Sequence, residues 1–289
     1  MILVTGATGH LGGAVMGQLM TKIDASQLAI LVRNRQKAAS YEAAGVRICE
    51  GSYGDVDALK AAMVGIEKVL LVSGGNEPDA LQQHCNVVDA AKEAGVKLMS
   101  YTSRDLRDPE NTANNLMRRH FATEDYIKAS GMQYALFRNI LYMDVLPLYT
   151  GNGVFENGFA LPAGKGKAAY ALRSEMGEAM ANILLADLEQ SVTYKLTGSS
   201  TYSFADLAAS LGKLAGHEVP YTELTMDEYE ARAIAADKPL GLVKMLNCFL
   251  MDIENMQESN ISPDLAHWLG RNPKTLDEGV KELYGHLLA

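Results

Sequence analysis

Short apolar runs recur along the first half of the chain, at residues 2–4, 28–32, 46–48, 69–72, 98–101 and 134–137. Each is apolar on successive positions instead of alternating, which is the pattern of parallel strands covered on both faces. Helix-length segments lie between them. The first carries Leu11, Val15, Leu19 and Ile23 at four-residue spacing, a single apolar stripe. Strand and helix therefore alternate, and right-handed crossovers build a doubly wound parallel sheet from such a series. After about residue 145 the rhythm changes. Gly151, Gly153, Gly158, Pro162, Gly164 and Gly166 punctuate a stretch with little periodicity, read as substrate-facing loops. Helices are expected at 174–188 and 204–215, and strands at 192–196 and 219–224. Thr275 and Glu278 open a last helix in capping-box spacing.

Ile2-Leu3-Val4-Thr5 runs straight into Gly6-Ala7-Thr8-Gly9-His10-Leu11-Gly12, a GxxGxxG that follows a strand and opens a helix. Gly6 permits a tight turn, Gly9 lets backbone approach a pyrophosphate, and Gly12 permits close packing of the helix on the sheet. The helix amino terminus then faces the anion. A glycine triplet alone is weak evidence; its place at the head of a βα series makes it a Rossmann-type dinucleotide site. NAD-binding versions end the second strand in Asp or Glu, which bonds the ribose 2′-hydroxyl. Here the strand ends Val32-Arg33-Asn34-Arg35. Arg33 stands where that carboxylate would be, and a guanidinium grips a phosphate in bidentate fashion. The expected cofactor is NADP(H).

The bulk properties narrow the classes. A net charge of −9 with no long Lys/Arg cluster argues against a nucleic-acid surface. Arg118, Arg119 and His120 form the longest basic patch, and the two arginines read as the solvated face of a helix. No apolar run approaches the length of a membrane span. Cys49, Cys85 and Cys248 are far apart and form no CxxC pair, so neither a disulfide framework nor a zinc site is expected, as suits a reducing cytosol. A strand starting at Ile2 leaves no room for a signal segment, and the reading is a cytoplasmic protein. The remaining histidines, His10, His84, His217, His267 and His286, show no ligand spacing, and no metal is expected.

These residues resemble the NmrA-like branch of the atypical short-chain dehydrogenases, and within it the NADPH-dependent quinone reductases and triphenylmethane reductases of bacteria. The resemblance runs nearly end to end. Besides the glycine turn and Val32-Arg33-Asn34, it rests on Tyr53-Gly54-Asp55, Ala90-Ala91-Lys92-Glu93-Ala94-Gly95-Val96-Lys97, Tyr101-Thr102-Ser103, Phe137-Arg138-Asn139 and Asn272-Pro273-Lys274-Thr275-Leu276. It implies that Gly6, Ala7, Thr8, Gly9, His10, Leu11 and Arg33 meet the cofactor's phosphates, and that Ser73, Gly74 and Gly75 line the nucleotide. It implies too that residues 139–144, with Asn139, Tyr142 and Asp144, lie beside the nicotinamide. By the same resemblance, residues 170–175, with Tyr170 and Arg173, would form a second loop that closes over the cofactor. Where the quinone reductases have consecutive serines this chain has Ser73-Gly74-Gly75, and its stretch 104–117 departs from the family.

Ordinary short-chain dehydrogenases and sugar epimerases need a Tyr with a Lys four residues on, whose ammonium lowers the phenol pKa. Here Tyr101, Tyr126 and Tyr134 are followed at that distance by Asp105, Ser130 and Arg138. Reduction of a quinone demands less of an acid, because the product oxygen is phenol-like, with a pKa near ~10. By resemblance, His120 occupies the helix position where plant phenylpropanoid reductases carry their catalytic Lys. As a group titrating near neutrality it could supply a proton. His120 and Glu124 also have the spacing of an i,i+4 polar pair. Asn139 and Tyr142 are the other candidates for chemistry.

The expectation is thus an NADPH-dependent oxidoreductase acting on a quinone-like small molecule, as monomer or homodimer. Residues 1–145 form an NAD(P)-binding domain, and 146–289 a smaller α/β lobe on the substrate side, some of whose segments return to the sheet. Two alternatives accompany it: a regulator of the NmrA type that binds the dinucleotide without turnover, and an isoflavone-reductase-like enzyme, weakened by His120 in place of Lys.

Overall fold

Strands whose residues are apolar in succession can be satisfied only by cover on both faces. In the computed structural model, which describes residues 1–74, 78–112 and 114–288, that cover is two layers of helices. Strands β1 (Ile2–Thr5), β2 (Leu28–Val32), β3 (Arg47–Glu50), β4 (Lys68–Leu71), β5 (Leu98–Arg104) and β6 (Gln133–Asn139) alternate with helices. These are α1 (His10–Lys22), α2 (Ala39–Ala43), α3 (Val56–Met63), α4 (Ala80–Glu93) and α5 (Asn115–Ala129). Beyond them come α6 (Leu146–Thr150), α7 (Val154–Asn157), β7 (Phe159–Leu161), α8 (Arg173–Leu185), β8 (Val192–Leu196) and α9 (Phe204–Ala215). The chain ends with β9 (Tyr221–Glu223), α10 (Met226–Ala235), α11 (Leu240–Glu254), α12 (Asp264–Leu269) and α13 (Leu276–Tyr284).

The large sheet has the order β3-β2-β1-β4-β5-β6-β8, and every pair is parallel. Leu3, Leu31, Val69, Met99 and Leu136 face α3, α4 and α5, while Ile2, Val4, Ile30, Leu70 and Phe137 face α1, α8 and α12. Strand order reverses between β1 and β4, which opens a crevice at their carboxyl ends.

A second apolar cluster gathers Leu146, Tyr149, Phe155, Phe159, Tyr170, Phe204, Leu250 and Tyr284. The glycine-rich stretch expected to form substrate-facing loops belongs largely to this cluster. Val154, Phe155, Phe159, Leu161 and Ala163 are buried, and β7 pairs in parallel with β9. Residues 151–153 are exposed, but beyond them the glycines break the periodicity while the apolar side chains stay buried: Gly158 takes φ +65°, and a Cβ there would lie 2.2 Å from the Pro220 carbonyl. The Thr275–Glu278 capping box forms as expected.

The two cores meet along a seam. In the segment 168–172, Ala169 and Ala171 join the sheet-side cluster, while Ala168, Tyr170 and Leu172 join the second. Ile140 and Tyr142 likewise pack with the first, Leu141 and Met143 with the second. The two stretches touch through a Tyr142–Ala171 bridge, and Met143 N donates to Ala171 O at 2.9 Å. Period-two alternation thus serves two cores at once.

Candidate functional site

The turn after β1 is shaped by what its glycines exclude. Gly6 adopts φ +60°, a region other residues rarely enter, and a Cβ on Gly12 would lie 2.3 Å from Gly6 O. Gly9 caps α1 without any side-chain bond, and the first turn has no acidic residue. Thr8, Gly9 and His10 are exposed, while Ala7, Leu11 and Gly12 are buried. The head of a 13-residue helix therefore presents amides with nothing anionic beside them, which fits a phosphate group.

Neighbouring elements fix this turn in place. Tyr41 Oη donates to Ala7 O at 3.2 Å. Thr5 Oγ1 accepts Val72 N at 2.9 Å and sits 2.5 Å from Tyr53 Oη, which lies 2.8 Å from Val72 O. Burial pushes the Tyr53 phenol up to about 12. At the end of β2, Arg35 is tied to Glu42, whereas Arg33 is exposed and, among the described residues, makes no hydrogen bond or ion pair.

Across the crevice Ser73 N donates to Thr102 Oγ1 at 2.8 Å, and Gly74 N donates to His84 Nε2 at 3.0 Å. Gly75 lies outside the described residues. Because His84 Nε2 accepts, its Nδ1 carries the proton and donates to Thr123 Oγ1 at 2.9 Å. Burial, helped by Arg119, holds this imidazole at about 4.

His120 lines a narrow pocket with Gly74, Ala80, His84, Tyr101, Leu116 and Arg119. The structure corrects its expected charge state. His120 is buried, its Nδ1 lies 2.9 Å from Tyr101 Oη, and burial, with Arg104, His84 and Arg119 near it, holds its pKa at about 3. It is a neutral imidazole at neutral pH, not a group that titrates there. Nor does it pair with Glu124. That carboxylate accepts from Ser103 Oγ at 2.6 Å and from Arg138 at 2.9 and 2.7 Å, and these bonds outweigh burial and hold its pKa below the usual range.

Past the end of β6, Asn139 Nδ2 donates to Tyr142 Oη at 3.2 Å, leaving Asn139 Oδ1 buried without a partner. The Arg173 guanidinium lies 4.3 Å from the Tyr142 ring centre, and its backbone N–H donates to Asp144 Oδ2 at 2.8 Å. These four residues come together. Tyr170 does not join them: its ring is buried in the second core, and its hydroxyl has no partner there. Its hydrophobic body follows the seam's alternation, so only its backbone remains near the loop.

Sequence reasoning missed Arg104 and Glu258, which form an ion pair with side chains 7% and 0% exposed. Glu258 lies in Asn255-Met256-Gln257-Glu258-Ser259-Asn260, a polar run with no period. Arg104 was within reach, since β5 continues past its apolar part through Thr102 and Ser103. Among the described residues no helix is long and apolar enough to cross a membrane, and no three potential metal-ligating side chains converge.

A parallel sheet of this order, with a glycine turn heading its first helix at the strand-order reversal, defines a Rossmann-type α/β protein of the dinucleotide-binding class. The chain belongs to the NmrA-like family, whose model matches residues 1–278. It is 35% identical over 285 residues to quinone oxidoreductase 2 of Escherichia coli strain K12, covering 98% of this chain and 99% of that protein. A crystal structure of NADPH-dependent quinone oxidoreductase from Escherichia coli complexed with NADPH superposes with a TM-score of 0.91 at 35% identity, covering 98% of this chain and 100% of the other. The triphenylmethane reductase of Citrobacter sp. complexed with NADP(H) gives 0.91 at 31% identity, with the same coverage.

Proposed function

We propose that this protein is an NADPH-dependent reductase that delivers hydride to a quinone or a similarly conjugated, electron-poor acceptor. The observation that carries the cofactor is the exposed Arg33 guanidinium at the end of β2, beside a glycine turn whose helix offers uncapped amides. NADPH, when bound, supplies the hydride. The turn from Gly6 to Gly12 would hold its pyrophosphate and Arg33 its 2′-phosphate. Ser73 and Gly74 would line the nucleotide, and Asn139, Tyr142, Asp144 and Arg173 would flank the nicotinamide.

Support for the acceptor comes from the chemistry and from the relatives. No Tyr-Lys pair at four-residue spacing exists to manage an alcohol proton, and His120 is neutral. Hydride arriving on a quinone leaves a phenolate-like oxygen that water can protonate. Both solved relatives are reductases crystallised with NADPH or NADP(H), and one reduces quinones by name. Purified protein is expected to oxidise NADPH when a simple benzoquinone or naphthoquinone is added, and to leave it untouched without one. Tight NADPH binding with no turnover over a broad acceptor panel would favour the regulator, for which the absence of an ionised acid is equally natural.

A further inference from the structure

We propose that the buried Arg104–Glu258 ion pair is a positioning device that sets Asn139 and Tyr142 against the nicotinamide. This rests on the NADPH reading above. Pairing between β5 and β6 ends at Arg104 opposite Asn139. One further bond on that side, from Asp105 N to Asn139 O at 3.0 Å, closes the ladder; the peptide group joining Ile140 to Leu141 has no β5 partner among the described residues, and the ion pair supplies one. Arg104 Nη1 donates to Ile140 O at 3.1 Å, and Leu141 N donates to Glu258 Oε2 at 3.0 Å. The pair thus grips consecutive backbone groups in the two-residue link between Asn139 and Tyr142.

Its hold extends to the other half of the seam. The Glu258 carbonyl accepts Ala169 N at 2.8 Å, two residues before the Tyr142–Ala171 bridge. The Arg104 guanidinium lies 5.8 Å from the Tyr142 ring centre and 5.7 Å from that of Phe249. Flanking bonds strap the same segment across the end of β5: Arg107 N to Gln257 O at 2.8 Å, and Asn260 Nδ2 to Asp105 Oδ2 at 2.8 Å.

Backbone satisfaction alone does not call for charge. A neutral amide would serve the carbonyl and N–H of that one peptide group, and an apolar pair of similar volume is often as stable as a buried ion pair. What charge adds is short, directional bonds that resist displacement. Such rigidity matters most where a ring must be held to within a fraction of an ångström of a reacting centre.

Two variants test this, Glu258→Gln and the double replacement Arg104→Met with Glu258→Met. The double variant strands no charge but leaves the Ile140 carbonyl and the Leu141 N–H without these partners, so its fold is checked by circular dichroism and thermal unfolding before kinetics are compared. In both, NADPH affinity should stay within about threefold of the parent, while kcat falls about 10- to 100-fold and the fluorescence lifetime of bound NADPH shortens as the nicotinamide loosens. Folded variants with unchanged kcat and lifetime would overturn the proposal. If Glu258→Gln misfolds, the double variant decides; failure of both to fold assigns the pair a purely structural role and also overturns it. A parent protein that binds NADPH without turnover sinks the reductase reading but leaves the lifetime test of the ion pair intact, whereas one that does not bind NADPH sinks both.

Discussion

Two arginines lie two residues apart at the end of β2, and their surroundings separate them. Arg35 is held by Glu42; Arg33 is exposed and, among the described residues, makes no hydrogen bond or ion pair. An exposed guanidinium beside a phosphate-shaped turn is poised for a second phosphate. Arg33→Asp should weaken NADPH binding by about 10- to 100-fold, the worth of one or two charge-assisted bonds, and leave NADH binding nearly unchanged. Equal losses in titrations with the two cofactors would remove the 2′-phosphate assignment. Residues of this kind were legible in the sequence because their constraint is local: a glycine where a Cβ would strike Gly6 O, a cation where a carboxylate usually stands. Asn139, Tyr142 and Arg173 were legible only through family resemblance, since nothing nearby in sequence marks them. Arg104 and Glu258, separated by 154 positions, gave no sign of each other. His120 shows a different limit. Its identity was visible, but its charge state depends on burial against Tyr101 and on Arg104 and His84, brought near it by β5 and α4.

At the scale of elements, the strands were visible because their middles are apolar. Their carboxyl ends were not, because there the side chains turn polar to build the crevice, as in Thr102, Ser103 and Arg104. Helix packing is decided by similarly local facts. Gly17 in α1 is exposed with nothing within 4 Å of an added Cβ, whereas at Gly177 in α8 that Cβ would lie 2.6 Å from Ala14 Cβ and 2.9 Å from Val15 N. Both positions gain about 1 kcal/mol of helix propensity from alanine. Only Gly177→Ala also drives backbone against backbone, at a cost of about 1–3 kcal/mol. Gly17→Ala should raise the melting temperature and Gly177→Ala should lower it. Since α8 begins at Arg173 and α1 follows the glycine turn, Gly177→Ala should weaken NADPH binding as well. A stabilised Gly177→Ala would show that the helices are not in register as described.

For the whole molecule, the buried imidazoles contribute to the response to acid. His84 and His120 remain neutral down to about 4 and about 3 in the folded chain. Once unfolded, they take protons near 6.5. As pH falls below that value the unfolded state binds protons the folded state refuses, so stability declines towards pH 4, by up to about 1.4 kcal/mol per pH unit for each histidine. Glu258 works in the opposite sense, its raised pKa removing stability as pH rises through it. The contribution of one histidine is therefore read by difference: His84→Gln should flatten the decline measured by thermal unfolding between pH 7 and pH 5. A slope equal to the parent's would mean that His84 is not the group responsible.

The seam bears on how such losses spread. Along 140–143 and 168–172, neighbouring residues are rooted alternately in the two cores, so neither core can loosen without pulling side chains out of the other. Heat, acid or denaturant should therefore release both together in a single transition, with the loop carrying Tyr142 lost in the same step.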